Sequence, residues 1–143
     1  MKYLLDTMVL SEPAKPKPNA GVVGWLRAQV PWDLAVSVLT FGEIRRGVDR
    51  MTDGRRKTEL QSWLTTALRD QFADRVLAVD LDVALAWGSL TTESERLGRP
   101  LHVVDGLLLA TAQVHGLTVV TRNVNDFSER GVPLYNPYGA SSA

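Results

Sequence analysis

Four acidic side chains stand at places where a folded chain needs a reason to put them: Asp6, Glu43, Asp105 and Asp126. In the opening stretch MKYLLDTMVLSEP, an apolar run from Tyr3 to Leu5 is broken by Asp6 and resumes at Val9 and Leu10. Asp105 interrupts the otherwise apolar segment Leu101 to Ala110, where a charge near a core is costly without a partner. Carboxylates packed together raise one another's pKa, so a cluster of them keeps its charge only around a cation. With oxygen donors and no cysteine in the chain, the fitting ion is magnesium or manganese. Each acid also has an ordinary explanation. Asp6 can cap the helical turn that follows it, Glu43 can complete a Thr-x-x-Glu capping box with Thr40, Asp105 suits a helix N-terminus, and Asp126 suits an Asx-turn. Chemistry requires that the four meet.

The elements that must bring them together follow from hydrophobic periodicity. Tyr3 to Leu5 reads as a buried strand, and PAKPKP as a basic loop that cannot be helical through its length. Asn19 caps a helix over Ala20 to Val30 that Pro31 stops. Leu34, Val36 and Val38 alternate with Ala35, Ser37 and Leu39 as a second strand, and Thr40 is the expected cap of a helix from Phe41 to about Arg50. Leu60, Trp63, Leu64, Ala67 and Leu68 mark a helix face that ends at Phe72 and Ala73. Val76, Leu77 and Val79 predict a third strand closed by Asp80, and Val83, Ala84, Trp87 and Leu90 a helix ending near Gly98. Val103 to His115 is the best helical pattern, with Val104, Leu107, Leu108, Ala112 and Val114 inward and Gly116 as its stop. Leu117 to Thr121 is a fourth strand, Asp126 lies in the loop after it, and Val132, Leu134 and Tyr135 give a short last strand. Strands alternating with helices predict a three-layer α/β/α sandwich with a mainly parallel sheet. In such a sheet, strand ends and the starts of the following helices share one edge, the edge where ligands collect.

Composition bounds the rest. A chain of 143 residues with 45% hydrophobic content suits one domain, expected over residues 1–138 with a loose tail over 139–143. The absence of cysteine excludes disulfides and thiolate catalysis and fits a reducing cytoplasm. No stretch approaches the ~20 apolar residues of a membrane helix. Sixteen basic and sixteen acidic residues cancel, so an anionic substrate needs a local patch or a metal. Arg45, Arg46, Arg50, Arg55, Arg56 and Lys57 form the dense basic region, with Lys15 and Lys17 a second one. Either they contact a phosphate backbone, or they form a solvated helix face balanced by Asp49, Asp53 and Glu59. His102 and His115 read as surface or cap residues, Trp25, Trp63 and Trp87 as packing, and Trp32 as exposed.

The segments LLDTMVLSEP, SVLTFGEIRRGV, VVDGLLLATAQVHGLTVVTRNVNDF and VPLYNP, in that order along nearly the whole chain, resemble a PIN domain of the VapC type, in its FitB-like branch. The resemblance implies a sheet of about five strands and a ribonuclease that depends on Mg2+ (or Mn2+). It also implies the toxin role of a type II toxin–antitoxin system, with a cognate VapB-like antitoxin and a homodimer. By position it makes Asp6, Glu43 and Asp105 the metal-binding and catalytic acids, with Asp126 as fourth ligand, and places Thr121 and Asn123 in support around them. A bound ion would then hold a phosphate oxygen of RNA and activate a water for in-line attack, leaving a 5′-phosphate and a 3′-hydroxyl. Two positions depart from the family pattern: Met8 stands where an Asn is usual, and Asn123 where some members have an acid. Two other readings stay open. One is a catalytically inactive PIN fold that binds RNA or a protein. The other is a phosphate-accepting receiver-like domain, which would need a late lysine that the chain lacks after Lys57.

Overall fold

Five short apolar segments, Tyr3–Leu5 (β1), Leu34–Ser37 (β2), Val76–Leu77 (β3), Thr118–Val120 (β4) and Leu134–Tyr135 (β5), assemble into one sheet in a computed structural model that describes residues 1–139. The order is β3-β2-β1-β4-β5 and every pairing is parallel, with Tyr3 opposite both Leu34 and Thr118. Helices Thr7–Ser11 (α1), Ala20–Ala28 (α2), Val38–Asp49 (α3), Arg55–Ser62 (α4), Arg69–Gln71 (α5), Leu81–Arg96 (α6), Val103–His115 (α7) and Val124–Phe127 (α8) complete the α/β/α sandwich. The strand period of two divides the core between the sheet's faces. Leu5, Val36 and Val120 pack with α1 to α4 and the Trp63–Leu68 segment on one side, and Leu4, Ala35 and Val119 with α6, α7 and α8 on the other. Burying each of these Leu and Val side chains stabilises the fold by about 1.5–3 kcal/mol.

From β1 the chain builds outward through β2 to β3, then returns to the other side of β1 for β4 and β5. The strand order therefore reverses between β1 and β4. Their carboxyl ends open a crevice there, the general ligand position of open parallel sheets.

The structure corrects several local expectations. β2 stops at Ser37, whose Oγ accepts from the Leu39 N–H at 3.0 Å and caps α3. Thr40 is therefore not the cap but a buried residue inside the helix, because an alternating Ala-Val-Ser-Val run hides where a strand hands over to a helix. Val79 lies outside β3 because Asp80, accepting from Val83 N at 3.0 Å, starts α6 immediately after it. On α7 the buried face centres on Leu108, Leu109 and Ala112, while Val114 is exposed. Asp126 is in the first turn of α8 rather than in a loop. The helix ending at Gln71 is continuous from Arg55, but Trp63–Leu68 winds as π-helix, with the Thr65 hydroxyl bonded back to the Gln61 carbonyl at 2.9 Å. The tail expected over 139–143 lies, beyond Gly139, outside the described residues.

Gly21, in the first turn of α2, lies against the C-terminal segment: a Cβ there would meet the Pro137 carbonyl oxygen at 2.8 Å. Alanine is the better helix former, yet the clash is with backbone and cannot be relieved by a rotamer. Gly21→Ala is expected to destabilise the protein by about 1–2 kcal/mol, read as a lower urea midpoint at unchanged slope.

Candidate active site

At the crevice, the Asp6 backbone N–H donates to the Val120 carbonyl at 2.9 Å, the last rung between β1 and β4. Its side chain then serves two duties at once. Oδ1 accepts from the Thr7 N–H at 2.8 Å and caps α1, and Oδ2 accepts from the Thr121 hydroxyl at 2.7 Å. The cap reading and the site reading are therefore both realised, on different oxygens. Asp6 is only 8% exposed and Thr121 fully buried. Thr121 Oγ1 also accepts from the Asn123 N–H at 3.0 Å, which fixes the start of α8. Burial pushes the Asp6 carboxyl above its ordinary value, and the hydrogen bonds from Thr121 and Thr7 offset only part of that cost.

Glu43 reaches the same rim from α3. Its Oε1 accepts from the Thr7 hydroxyl at 2.5 Å, so the capping box with Thr40 is not what holds it. The Thr40 hydroxyl lies 3.3 Å from that of Thr7. Thr7 has one proton and gives it to Glu43, so Thr40 is the donor in this second contact. Asp105, in the first turn of α7, is half-buried, and its carboxyl is raised by desolvation first and then by the charges of Asp6 and Glu43. His102 lowers it, and Asp126 raises it again from α8. The four acids thus belong to one electrostatic neighbourhood, formed by the ends of β1 and β4 and the first turns of α7 and α8, with α3 closing the side.

The donor set is all carboxylate and hydroxyl oxygen, the chemistry of a hard divalent cation. Asp6 carries one donor on each oxygen and so keeps further lone pairs. Mutual repulsion at Asp105 is the strain that a cation relieves. Among the described residues, no three acids, histidines or cysteines already stand in a coordinating array.

The basic region behaves differently. Arg45 pairs with Asp49 at 3.6 Å, Arg55 with Glu59 at 3.1 Å and Lys57 with Asp53 at 3.1 Å, so half of it is a balanced helix face. Arg56 is tied to the Ala14 carbonyl. Arg46 and Arg50 have no ion pair among the described residues. A cleft of about 280 Å³ runs from Thr7 and Glu43 past Gly47 to Lys15, Arg56 and Trp63. A larger cleft, about 660 Å³, lies on another face of α3, beside Phe41, Arg45 and Arg69, and none of the four acids lines it.

Periodicity did not reveal Thr7, Glu12, Arg122 or Tyr138. Glu12 is buried; desolvation pushes its carboxyl up, but hydrogen bonds from Asn19 N–H and Lys15 bring it below its ordinary value. Burial and then the Glu12 charge push the Tyr138 hydroxyl up to about 12. The guanidinium carbon of Arg122 sits 4.0 Å over the Tyr138 ring. The sequence signals for these residues are a Thr directly after the strand-end acid and the Glu-Pro and Asn-Pro-Tyr turns.

Without metal, a folded chain holds protons on Asp6 and Asp105 at pH values above 3.8 where the unfolded chain has released them. By linkage, stability from these groups grows as pH falls through their raised values and is lost as pH rises through them. In EDTA at neutral pH, Asp105→Asn is expected to melt a few degrees above the wild type. The difference should shrink as pH approaches 3.8, measured by thermal unfolding of both proteins in parallel.

The comparisons agree with this architecture. The toxin FitB of Neisseria gonorrhoeae is 36% identical over 135 residues, 94% of this chain and 97% of that protein. The VapC ribonuclease Y4jK of Sinorhizobium fredii is 35% identical over 94% of this chain and 96% of its own. The crystal structure of FitAcB from Neisseria gonorrhoeae superposes with a TM-score of 0.91 at 36% identity, covering 95% of this chain and 98% of that one. DNA-bound VapBC from Salmonella typhimurium, 21% identical with a TM-score of 0.78 over 96% and 98% of the two chains, shares the fold. The family model for the PIN domain matches residues 3–132, nearly the whole described chain: the chain belongs to the PIN domain family.

Proposed function

We propose that this chain is the toxin of a type II toxin–antitoxin pair and a divalent-metal-dependent ribonuclease. The observation that carries the reading is Asp6, buried at the β1/β4 crevice between Thr7 and Thr121 and sharing its electrostatic neighbourhood with Glu43, Asp105 and Asp126. Relatives spanning nearly the whole chain support it, being named toxin FitB, VapC ribonuclease and, at 26% identity, tRNA(fMet)-specific endonuclease VapC. The same support extends to a cognate antitoxin, since structural neighbours are complexes such as FitAB bound to a DNA fragment. A homodimer and a cytoplasmic site of action belong to the same reading. Among the described residues no helix is long and apolar enough to cross a membrane.

Asp6, Glu43 and Asp105 would hold Mg2+ or Mn2+, with Asp126 as the fourth acid. The ion supplies Lewis acidity toward a phosphate oxygen and toward the attacking water. The chain's own contribution is orientation. Thr121 and the Thr7 N–H fix both oxygens of Asp6, so its carboxylate cannot swing when a phosphate arrives. Thr7, itself contacted by Thr40, sets the reach of Glu43 from α3. The buried wall around Asp6 and Asp105 lowers the local dielectric and strengthens every interaction made there.

Met8 favours one other reading. It is exposed on α1, at the position where the family usually has Asn, which suits a fold that only binds RNA or a protein partner. A cleavage assay on defined RNA separates the two. Activity should require magnesium, stop with EDTA, leave 5′-phosphate ends, and fall by about 10²–10³-fold in Asp6→Asn. Cleavage indifferent to both EDTA and Asp6→Asn would sink the metal-nuclease reading, and no cleavage at all would leave the binding module. Thr7→Val, which frees Glu43 but keeps the backbone cap on Asp6, is expected to cost about 10–100-fold in activity or metal affinity, measured by turnover against magnesium concentration.

A further inference from the structure

An acidic rim repels RNA until something positive draws a phosphate to it, and this chain has no net charge to help. In the basic region of α3 and α4, Arg45, Arg55 and Lys57 are committed to acids of their own segment and Arg56 to a backbone carbonyl. Arg122 is not. It follows Thr121, which bonds Asp6, and precedes Asn123, which opens the helix carrying Asp126. Arg122 is exposed, and among the described residues no carboxylate lies within ion-pairing distance of it.

What holds it is the Tyr138 ring, 4.0 Å from the guanidinium carbon. A stack of this kind occupies the face of the guanidinium and leaves the in-plane N–H groups at its edge free for a phosphate. The ring is a fixed platform. Tyr138 is 2% exposed, belongs to the buried cluster that holds Leu5, Val9 and Leu10, and follows the Pro137 carbonyl that lies against Gly21. Its buried hydroxyl senses the charges of Glu12, Arg122 and Asp6, which puts the arginine and the site acid around one ring.

We propose that Arg122 binds a backbone phosphate of the RNA adjacent to the phosphodiester at the acidic rim, and that Tyr138 is the positioning residue that presents its guanidinium there. The inference rests on the reading that RNA is the substrate, and it adds the group that brings the strand to the acids. Arginine, unlike lysine, combines a stacking face with a planar donor edge, so the position is specific for it.

The test is binding of a fluorescein-labelled single-stranded RNA to the full chain in an Asp6→Asn background, where the strand is not cut, across a series of salt concentrations. Arg122→Ala should weaken binding about tenfold and flatten the log-log salt dependence by about 0.7, the loss of one phosphate contact on a single strand. Arg122→Lys should fall between the two. Arg27→Ala removes a charge that has no ion pair among the described residues from the C-terminal end of α2, beside Leu34 at the amino end of β2 and so at the edge opposite the acids, and should leave affinity and slope unchanged. Tyr138→Leu should lose part of what Arg122→Ala loses, and the double variant should be no worse than Arg122→Ala, a coupling that general destabilisation does not produce. Wild-type affinity and slope in Arg122→Ala overturns the proposal, even if RNA is cleaved in an Asp6-dependent way. Equal losses in Arg122→Ala and Arg27→Ala overturn it as well. Failure of the nuclease reading shows up separately, as absence of magnesium-dependent cleavage by the chain that retains Asp6.

Discussion

The structure turns on how one carboxylate divides its two oxygens. Asp6 gives one to the N–H of Thr7 and the other to the hydroxyl of Thr121, so a single side chain starts α1 and ties the end of β1 to the end of β4. Those two strands are the ones between which the strand order reverses. The crevice that the topology opens is thus bridged by the very group that would do chemistry in it. Moving this carboxylate would disturb the first helix and the central strand pair together, which is why its geometry is rigid.

Rigidity of this kind has an electrostatic cost that the fold carries. Burial disfavours the charge on Asp6, and Asp105 suffers desolvation together with repulsion from Asp6, Glu43 and Asp126. Hydrogen bonds from two threonines offset part of the first cost, and His102 part of the second. On the proposed metal-dependent reading, what they leave uncompensated is the driving force for a cation. Stability would then be given up at the same atoms where binding is gained, a common arrangement at functional sites.

Much of the frame could be read from the chain. The alternation of Leu4 and Leu5, Ala35 and Val36, and Val119 and Val120 follows the two faces of the sheet, and Gly116, in a left-handed conformation at φ 66°, stops α7 where its residue type says it should. Asp6 and Asp105 could be singled out because each breaks an apolar pattern, Glu43 and Asp126 because each follows a predicted strand. Their supports could not be read. Ser37 rather than Thr40 caps α3, because a hydroxyl in an alternating run fits a strand and a cap equally well. Thr7 meets Glu43 across a gap in sequence that no local period spans, and Arg122 meets Tyr138 through two irregular segments, where side-chain direction depends on backbone detail. In the basic cluster the sequence does name the balancing acids, since Asp49, Asp53 and Glu59 stand four positions from Arg45, Lys57 and Arg55, and all three pairs form.

The bond between Thr121 and Asp6 joins residues 115 positions apart. During synthesis the N-terminal acid therefore leaves the ribosome long before its latch exists, and the first strand must wait for the fourth before its end is fixed. Loop-closure entropy makes such a contact late in folding as well as late in translation. A nascent chain stalled before β4 carries Asp6 and Glu43 but lacks both the bridging hydroxyl and Asp105's neighbour on α8. Long-range closure thus acts as a timer that ties completion of the acidic rim to completion of the chain.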